Sequence, residues 1–300
     1  MNLKQFKYVL TLANEGSFSK AADVLNIRQP SLSQYIKNVE REIGCNLFDR
    51  TGGNIKLTDA GNAYIQIGKQ MLDLEHQLES RLDDISNFQS GTITIGIAAH
   101  RSVAFMPEVV KCFREYYPGI VLHIEERKRY EIVDAAEHGE FDLCLTTLPL
   151  DKNVFTWKTV MFEENVIAVP ESVSFDSESI PERKFSAISV SEINDLDFAV
   201  LNEEHPMQLE FDSLCVKYSV SPNRIVLCTS LDALLGMVKN GVASAFIPSC
   251  LAQKTDGVKY YSFKENVERR EIVIAHRHEQ YLSKAVQKLE SVISEVLAAY

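Results

Sequence analysis

The densest concentration of side chains able to recognise a ligand lies in the segment RQPSLSQYIKN, which begins at Arg28. Glutamine presents a donor and an acceptor together, so Gln29 and Gln34 suit the edge of an adenine in a DNA groove. Lys37 and Arg50 carry the positive charge that phosphates attract. These residue types indicate a contact with DNA. A small helical domain with a solvated polar face would carry the same residue types, and composition alone does not separate the two interpretations.

Three short helices are predicted to position this segment. Apolar residues recur at intervals of three and four, and the predicted helices span residues 3–14, 18–25 and 30–43. Ser17 is expected to cap the second helix with its hydroxyl, and Asn26 suits a left-handed turn after it. Pro30 fits the first turn of the third helix, where its missing N–H costs nothing. This order predicts a helix–turn–helix.

A hairpin and a long helix follow. Gly52-Gly53-Asn54 is a turn signal between two short extended pieces, which predicts a two-stranded wing. Thr58-Asp59 is expected to cap a helix of about thirty residues, since apolar residues then alternate by four and three. The seam consists of Tyr64, Ile67, Met71, Leu74, Leu78 and Ile85. Such a seam favours pairing of residues 59–88 with a second copy; the alternative is an ordinary amphipathic helix packed on its own body.

After Gly91 the pattern changes to strands alternating with helices, which predicts a parallel α/β sheet. Two such units follow each other, and the chain closes with a strand and an amphipathic helix. We therefore predict an α/β protein overall, in which a second α/β unit begins near Met161.

Charge is distributed unevenly along the 300 residues. Residues 1–57 hold eight Lys or Arg against five Asp or Glu, a net charge of +3. The overall net charge is −11, so the remaining residues carry a net charge of −14. A small basic head on an acidic body favours one local nucleic-acid contact. No apolar run reaches 18 residues, so we expect no membrane span. The first residues carry no secretory signal, so a cytoplasmic location with reduced thiols is expected.

The chain offers no pattern typical of catalysis or of a bound cofactor. It contains no GxSxG, HExxH, P-loop or GxGxxG motif, and its six cysteines form no CxxC pair. We therefore expect no enzymatic activity, metal or cofactor. A solute-binding protein is an alternative that would suit the body alone. Redox sensing through Cys215 and Cys228 is a further alternative.

The sequence resembles the LysR-type transcriptional regulators. The resemblance is dense over about the first 61 residues, through SFSKAADVLNIRQPSLSQYIKNVEREIG and LFDRTGGNIKLTDAG, and looser in YPGIVLHIEE, HGEFDLCL and LLGMVKNGVASAFIP. It implies a winged helix–turn–helix (1–58), a linker and dimerisation helix (59–90) and a two-lobed effector domain like the type 2 periplasmic binding proteins (91–300). Lobe I would comprise 91–161 and 267–300, and lobe II 162–266. It also implies a dimer or tetramer on promoter DNA, a small-molecule effector and, for an activator, contact with RNA polymerase.

The resemblance also implies DNA-contacting positions. They are Arg28, Gln29, Pro30, Ser31, Ser33, Gln34, Lys37, Arg50 and Asn54. Arg28 departs from the family pattern, which places Ser or Thr there as a helix cap. Arginine has no acceptor to offer, so we expect it to contact phosphate instead. The wing GGNIK has fewer basic residues than in many members, which leaves Asn54 as its candidate contact.

The effector is expected between the lobes, at strand ends and helix N-termini. The candidate residues are His100, Arg101, Ser102, Arg127, Thr146, Thr147, Asn202 and Ser230. The cluster Arg127-Lys128-Arg129, together with Arg101, favours an anionic effector, although such runs are also common on solvated surfaces. Ser230 also suits a helix N-cap, which would leave it no role toward a ligand.

Overall fold

The computed structural model describes residues 2–50, 55–86, 90–181, 183–252, 257–265 and 267–300. The helices are α1 Leu3–Glu15, α2 Phe18–Val24, α3 Gln29–Ile43, α4 Asp59–Ser86, α5 Ala99–Tyr116, α6 Arg129–Glu137, α7 Pro206–Tyr218, α8 Leu231–Lys239 and α9 Lys284–Leu297. The strands are β1 Phe48–Asp49, β2 Lys56–Leu57, β3 Gly91–Ile97, β4 Ile120–Glu126, β5 Leu143–Thr147, β6 Phe155–Glu163, β7 Asn165–Pro170, β8 Ala187–Ile188, β9 Asp197–Leu201, β10 Asn223–Cys228, β11 Ala245–Pro248, β12 Val258–Phe263 and β13 Arg270–Arg277.

The helices α1, α2 and α3 enclose a small apolar core of their own, as their sequence period predicts. Asn26 has a φ of 51°, so the expected left-handed turn between α2 and α3 is confirmed. Pro30 lies in the first turn of α3, also as predicted. Ser17 has the extended backbone of an N-cap, but its hydroxyl accepts no hydrogen bond from α2. The expected side-chain cap was therefore wrong.

The long helix α4 begins where the sequence places it. The Thr58 hydroxyl accepts a hydrogen bond from the Gly61 amide at 3.0 Å, which caps the first turn. A Cβ on Gly61 would lie 2.1 Å from the Leu47 carbonyl oxygen, so only glycine allows the helix this close to the hairpin. Tyr64 was expected in the dimerisation seam. Its ring instead stacks on Phe6 at 4.6 Å, because the first turns of α4 pack on α1.

The first sheet has the strand order β4-β3-β5-β13-β6, with α5 and α9 on one face and α6 on the other. Strand β3 runs parallel to β4 and β5, as expected. Strand β13 is antiparallel to both β5 and β6. The expectation of a parallel sheet was therefore wrong for the pairs that involve β13. The reason is that β13 enters from the second sheet and not through a helical crossover.

The second sheet has the order β11-β7-β12-β8, in which β7 is antiparallel to both neighbours. The parallel pair β9 and β10 joins its edge through Ser244, whose carbonyl accepts the Ala199 amide at 2.9 Å. The chain crosses between the two sheets at Glu163–Asn165 and again before Arg270. These crossings carry buried charged and polar side chains, and they line the cleft described below.

Candidate DNA-recognition face and interlobe cleft

One face of α3 is presented to solvent while the opposite face is buried. Leu32 and Ile36 are fully buried in the helical core. The predicted DNA-contacting residues of this segment are exposed, apart from the half-buried Ser33; they are Arg28, Gln29, Pro30, Ser31, Gln34 and Lys37. Arg28 stands at the N-cap of α3 and makes no side-chain cap. The exposed face therefore combines amide, hydroxyl and cationic groups, which are the groups that read bases and bind phosphates.

A buried carboxylate fixes the segment after α3. Glu40 Oε1 accepts the backbone amides of Leu47 at 3.0 Å and Phe48 at 3.2 Å, and its Oε2 accepts Arg50 at 2.7 Å. The Arg50 guanidinium also lies 5.4 Å from the centre of the Phe18 ring. Arg50 is thus held beside the start of the hairpin. Asn54, the candidate wing contact, lies outside the described residues.

Sequence reasoning missed Glu40. The signal was its spacing, because it follows Ile36 by four residues and so falls on the apolar stripe of α3. A charged residue at a buried helical position requires partners. The two amides and Arg50 supply them.

Buried polar groups at the junction of the two sheets surround Glu163, at the end of β6; this junction is called the cleft below. Its side chain is 0% exposed, and its Oε2 accepts Arg101 at 2.7 Å and Arg270 at 2.8 Å. Burial alone would raise the pKa of this carboxyl, but the two guanidiniums outweigh that effect and hold the pKa at about 2. Glu163 is therefore ionised at every physiological pH. Arg101 was predicted from the sequence, whereas Glu163 and Arg270 were not.

Two further groups face Glu163. His100 is largely buried, and its Nε2 makes no hydrogen bond. Burial, reinforced by the charge of Arg101, lowers the pKa of His100 to about 3, so the imidazole is neutral. Cys250 lies in a short 3₁₀ turn, Ser249–Leu251, directly after β11. Burial and the neighbouring Glu163 raise the pKa of its thiol well above the usual range.

Thr146 and Thr147 end β5 and are buried. The Thr147 hydroxyl accepts Arg129 Nε at 3.0 Å, and the same guanidinium donates to the carbonyl of Pro149 at 2.6 Å. In the described part of the chain, the Arg129 guanidinium donates to the neutral oxygens of Thr147 and Pro149. These neutral acceptors do not neutralise its positive charge. Ser102, also predicted, is buried in the first turn of α5.

Arg127 is engaged by carboxylates of its own lobe. Its guanidinium pairs with Glu125 and, at 2.8 Å, with Glu140, and it lies over the Phe141 ring. Glu140 in turn pairs with Lys69 of α4 at 2.7 Å. These carboxylates hold Arg127 beside the linker helix, and its contact with an effector stays a prediction.

Asn202 and Ser230 follow β9 and β10 and are both exposed. The Ser230 hydroxyl accepts the Ala233 amide at 3.2 Å, so the capping interpretation of Ser230 is confirmed. Its hydroxyl is already occupied by the helix it begins.

The cysteines do not support the redox alternative. Cys215 and Cys228 are both buried and carry free thiols. Burial raises the pKa of Cys215, which lowers its thiolate fraction and reactivity. Cys144 is buried in β5, and burial raises its pKa to about 12, so its thiol belongs to the core.

The linker helix α4 shows two different faces. One carries an exposed apolar stripe made of Ile67, Met71, Leu74, Leu78, Leu82 and Ile85. The other packs on the effector region of the same chain, where buried Asp73 pairs with Arg277 and touches Gly139. The packing of this second face confirms the interpretation of an amphipathic helix on its own body, whereas pairing of the exposed stripe with a second copy stays a prediction.

Within the described residues, no helix combines the length and apolarity needed to cross a membrane.

Comparisons with known proteins agree with this architecture. Residues 3–62 match the family model for the bacterial regulatory helix-turn-helix protein, lysR family, and residues 86–298 match the LysR substrate binding domain. A probable RuBisCO transcriptional regulator of Porphyra purpurea is 26% identical, covering 95% of this chain and 90% of its own. The uncharacterized HTH-type transcriptional regulator YcgK of Bacillus subtilis (strain 168) is also 26% identical, covering 99% and 95%.

Two solved structures share the whole fold. A full-length OxyR variant from Pseudomonas aeruginosa has a TM-score of 0.70 at 21% identity, covering 99% of this chain and 94% of its own. Full-length CbnR in complex with its target DNA has a TM-score of 0.67 at 17% identity, covering 99% and 100%. At these identities the likeness shows the fold alone.

Proposed function

This chain belongs to the LysR family of transcriptional regulators, and we propose that it binds a specific promoter sequence through α3 and alters that contact when a small molecule enters the interlobe cleft. The observation that carries the proposal is the exposed polar face of α3 on a helical domain whose opposite face is fully buried. The same chain holds a polar cleft between two α/β lobes. Binding of DNA and binding of an effector thus have separate surfaces.

For DNA recognition we assign residues 1–58, with α3 in the major groove. Gln29 and Gln34 are the proposed base-reading side chains, together with Ser31 and Ser33. Gln34 already donates to Asn38 at 3.0 Å, which leaves Gln29 with the greater freedom to pair with a base. The proposed phosphate and positioning contacts are Arg28, Pro30, Lys37, Arg50 and Asn54.

For effector binding we assign residues 91–300. The proposed contacts are His100, Arg101, Ser102, Thr146, Thr147 and Asn202. Arg127 and Ser230 are left out because their polar groups are engaged elsewhere. An anionic effector is supported by Arg129, whose guanidinium bonds only neutral acceptors beside Thr147 in the described structure.

We propose that two copies pair through the apolar stripe of α4, in residues 59–88, and that the protein acts as a dimer or tetramer on an interrupted inverted repeat. The proposed location is the cytoplasm, and an activator would also contact RNA polymerase. The proposed role is binding and not catalysis.

The effector part of this proposal is tested by a thermal-stability screen followed by a promoter-binding assay. The full-length chain is heated with a panel of carboxylates, phosphate esters and amino acids, and ligand at a hundredfold its Kd should add about 2.7 kcal/mol of stability. Each hit is then measured for its effect on promoter binding, where a change of fivefold or more is expected. The variant Arg129→Gln should weaken anionic hits, and Arg114→Gln, at an exposed arginine in the last turn of α5, is the matched control. Hits that stabilise the chain but leave promoter binding unchanged would contradict the coupling.

A further inference from the structure

Three chemically different side chains meet in the cleft from distant parts of the chain. His100 lies in the first turn of α5, Glu163 ends β6, and Cys250 follows β11. One ligand atom from each lies within 4.8 Å of the other two. His100 belongs to the first lobe and Cys250 to the second, while Glu163 stands at the crossing between them.

Two of these three groups have an unused polar atom in a buried place. His100 Nε2 and Glu163 Oε1 are both shielded from solvent, and neither makes a hydrogen bond of standard geometry. The Cys250 thiol interacts with the Glu163 carboxylate, so the sulfur already lies beside it. The other Glu163 oxygen is the one that binds Arg101 and Arg270. Unpartnered polar atoms in a fully buried carboxylate are uncommon and call for a ligand.

We propose that His100 Nε2, Glu163 Oε1 and Cys250 Sγ form a binding site for a thiophilic d¹⁰ metal ion, with Zn²⁺ as the best match. An imidazole, a thiolate and a carboxylate are the three ligand types that zinc takes in proteins, and three protein ligands leave a fourth position open. The thiol loses its proton when the ion binds. The site uses residues of the cleft, but its existence does not depend on the proposed promoter binding.

The surrounding charges restrict which ions fit. Arg101 and Arg270 place two positive charges beside Glu163, and Arg270 is also 3.5 Å from Glu210. A hard cation such as Mg²⁺, which prefers oxygen ligands, would gain only one carboxylate oxygen there. A thiophilic ion gains a thiolate and an imidazole as well. The site should therefore select zinc or cobalt over magnesium.

The distances predict a movement. Zinc binds nitrogen and oxygen at about 2.0–2.2 Å and sulfur at about 2.3 Å, so tetrahedral ligand atoms lie roughly 3.3–3.8 Å apart. The present separations extend to 4.8 Å. An ion would therefore draw the three ligand atoms closer to one another.

Cobalt is the probe for this site, because its absorption reports both thiolate ligation and tetrahedral geometry. The reduced, chelator-treated full-length chain is titrated with Co²⁺. We expect one equivalent to produce a thiolate-to-cobalt charge-transfer band and intense visible bands, which Zn²⁺ abolishes and Mg²⁺ does not.

Matched variants decide whether Cys250 is the thiolate. Cys250→Ser should lose the charge-transfer band, while Cys228→Ser, at another buried cysteine of the second lobe, should keep it. His100→Gln should keep the band and weaken cobalt binding at least tenfold. This last variant tests the site even if Cys250→Ser fails to fold. Absence of a stoichiometric thiolate band in the wild type, or its persistence in Cys250→Ser, would overturn the proposal. Promoter binding measured on the same samples separates this outcome from a failure of the proposed function.

Discussion

The recognition face of α3 and the interlobe cleft differ in how their residues are brought together and in how far those residues are exposed. The residues of α3 that would meet DNA come from one continuous segment, stand in solvent and have few partners within the chain. The cleft assembles His100, Glu163, Cys250 and Arg270 from four distant segments and keeps Glu163 fully buried. Changes on α3 should therefore alter affinity and spare the fold, whereas changes at the centre of the cleft should alter stability.

The largest effect is expected from Glu163→Gln. It leaves the buried Arg101 and the half-buried Arg270 without their shared carboxylate, and breaking a buried ion pair costs about 3–5 kcal/mol. Urea unfolding of the full-length chain measures this loss. The control is Glu178→Gln, whose carboxylate is 61% exposed and lies 3.6 Å from Lys264. It should cost less than about 1 kcal/mol. Equal losses of unfolding free energy in the two variants would show that the buried ion pairs of Glu163 stabilise the fold no more than a surface ion pair does.

The next effect should appear in self-association through α4. Each leucine side chain that becomes buried contributes roughly 1.5–3 kcal/mol. Leu74→Lys with Leu78→Lys removes two such contacts per chain, so the dimer Kd should rise well over tenfold in sedimentation experiments. Gln66→Lys adds a charge at an exposed position outside the stripe and should leave the Kd close to the wild-type value. A double variant that still dimerises like the wild type would place the interface elsewhere.

A smaller effect with a distinct pattern is expected on α3. Gln29→Ala should weaken binding to the promoter by roughly 1–3 kcal/mol and leave binding to random DNA nearly unchanged. Lys37→Ala should weaken both alike and reduce the salt slope by about 1. Fluorescence anisotropy at several salt concentrations measures each quantity. If Gln29→Ala reduced both affinities equally, Gln29 would be a positioning contact and not a base reader.

The smallest effect should come from Ser230. Ser230→Ala removes the cap of α8 and should lower the free energy of unfolding by about 1 kcal/mol. Ser230→Asp restores an acceptor and should recover most of that loss. Neither variant should change effector affinity. A loss of effector affinity without a loss of stability would return Ser230 to the ligand site.

The sequence predicted best what depends on neighbouring residues. The left-handed Asn26, the cap at Thr58 and the exposed face of α3 follow from local spacing, because a helix and its turns involve residues only a few positions apart. It predicted worst what depends on distant partners. Arg127, for example, pairs with Glu140, which in turn pairs with Lys69. No local spacing pattern connects these three residues, so the sequence did not reveal the ion pairs.

Glu163 and Cys250 were missed for the same reason. Glu163 ends one strand, and Cys250 lies 87 residues further on in the sequence numbering. No spacing rule connects them, so only the crossing of the chain between the two sheets brings them together. The direction of β13 was likewise set by its entry from the second sheet.

The measurement that tests the central claim most directly is the ratio of two affinities of the full-length chain. One is for the DNA upstream of its own gene and its neighbours, and the other is for random duplex of equal length at the same salt concentration. A specific regulator should bind one upstream sequence at least about a thousandfold more tightly than random DNA, and Gln29→Ala should reduce that ratio. Equal affinity for every duplex tested, with the same salt slope, would contradict sequence-specific recognition by α3.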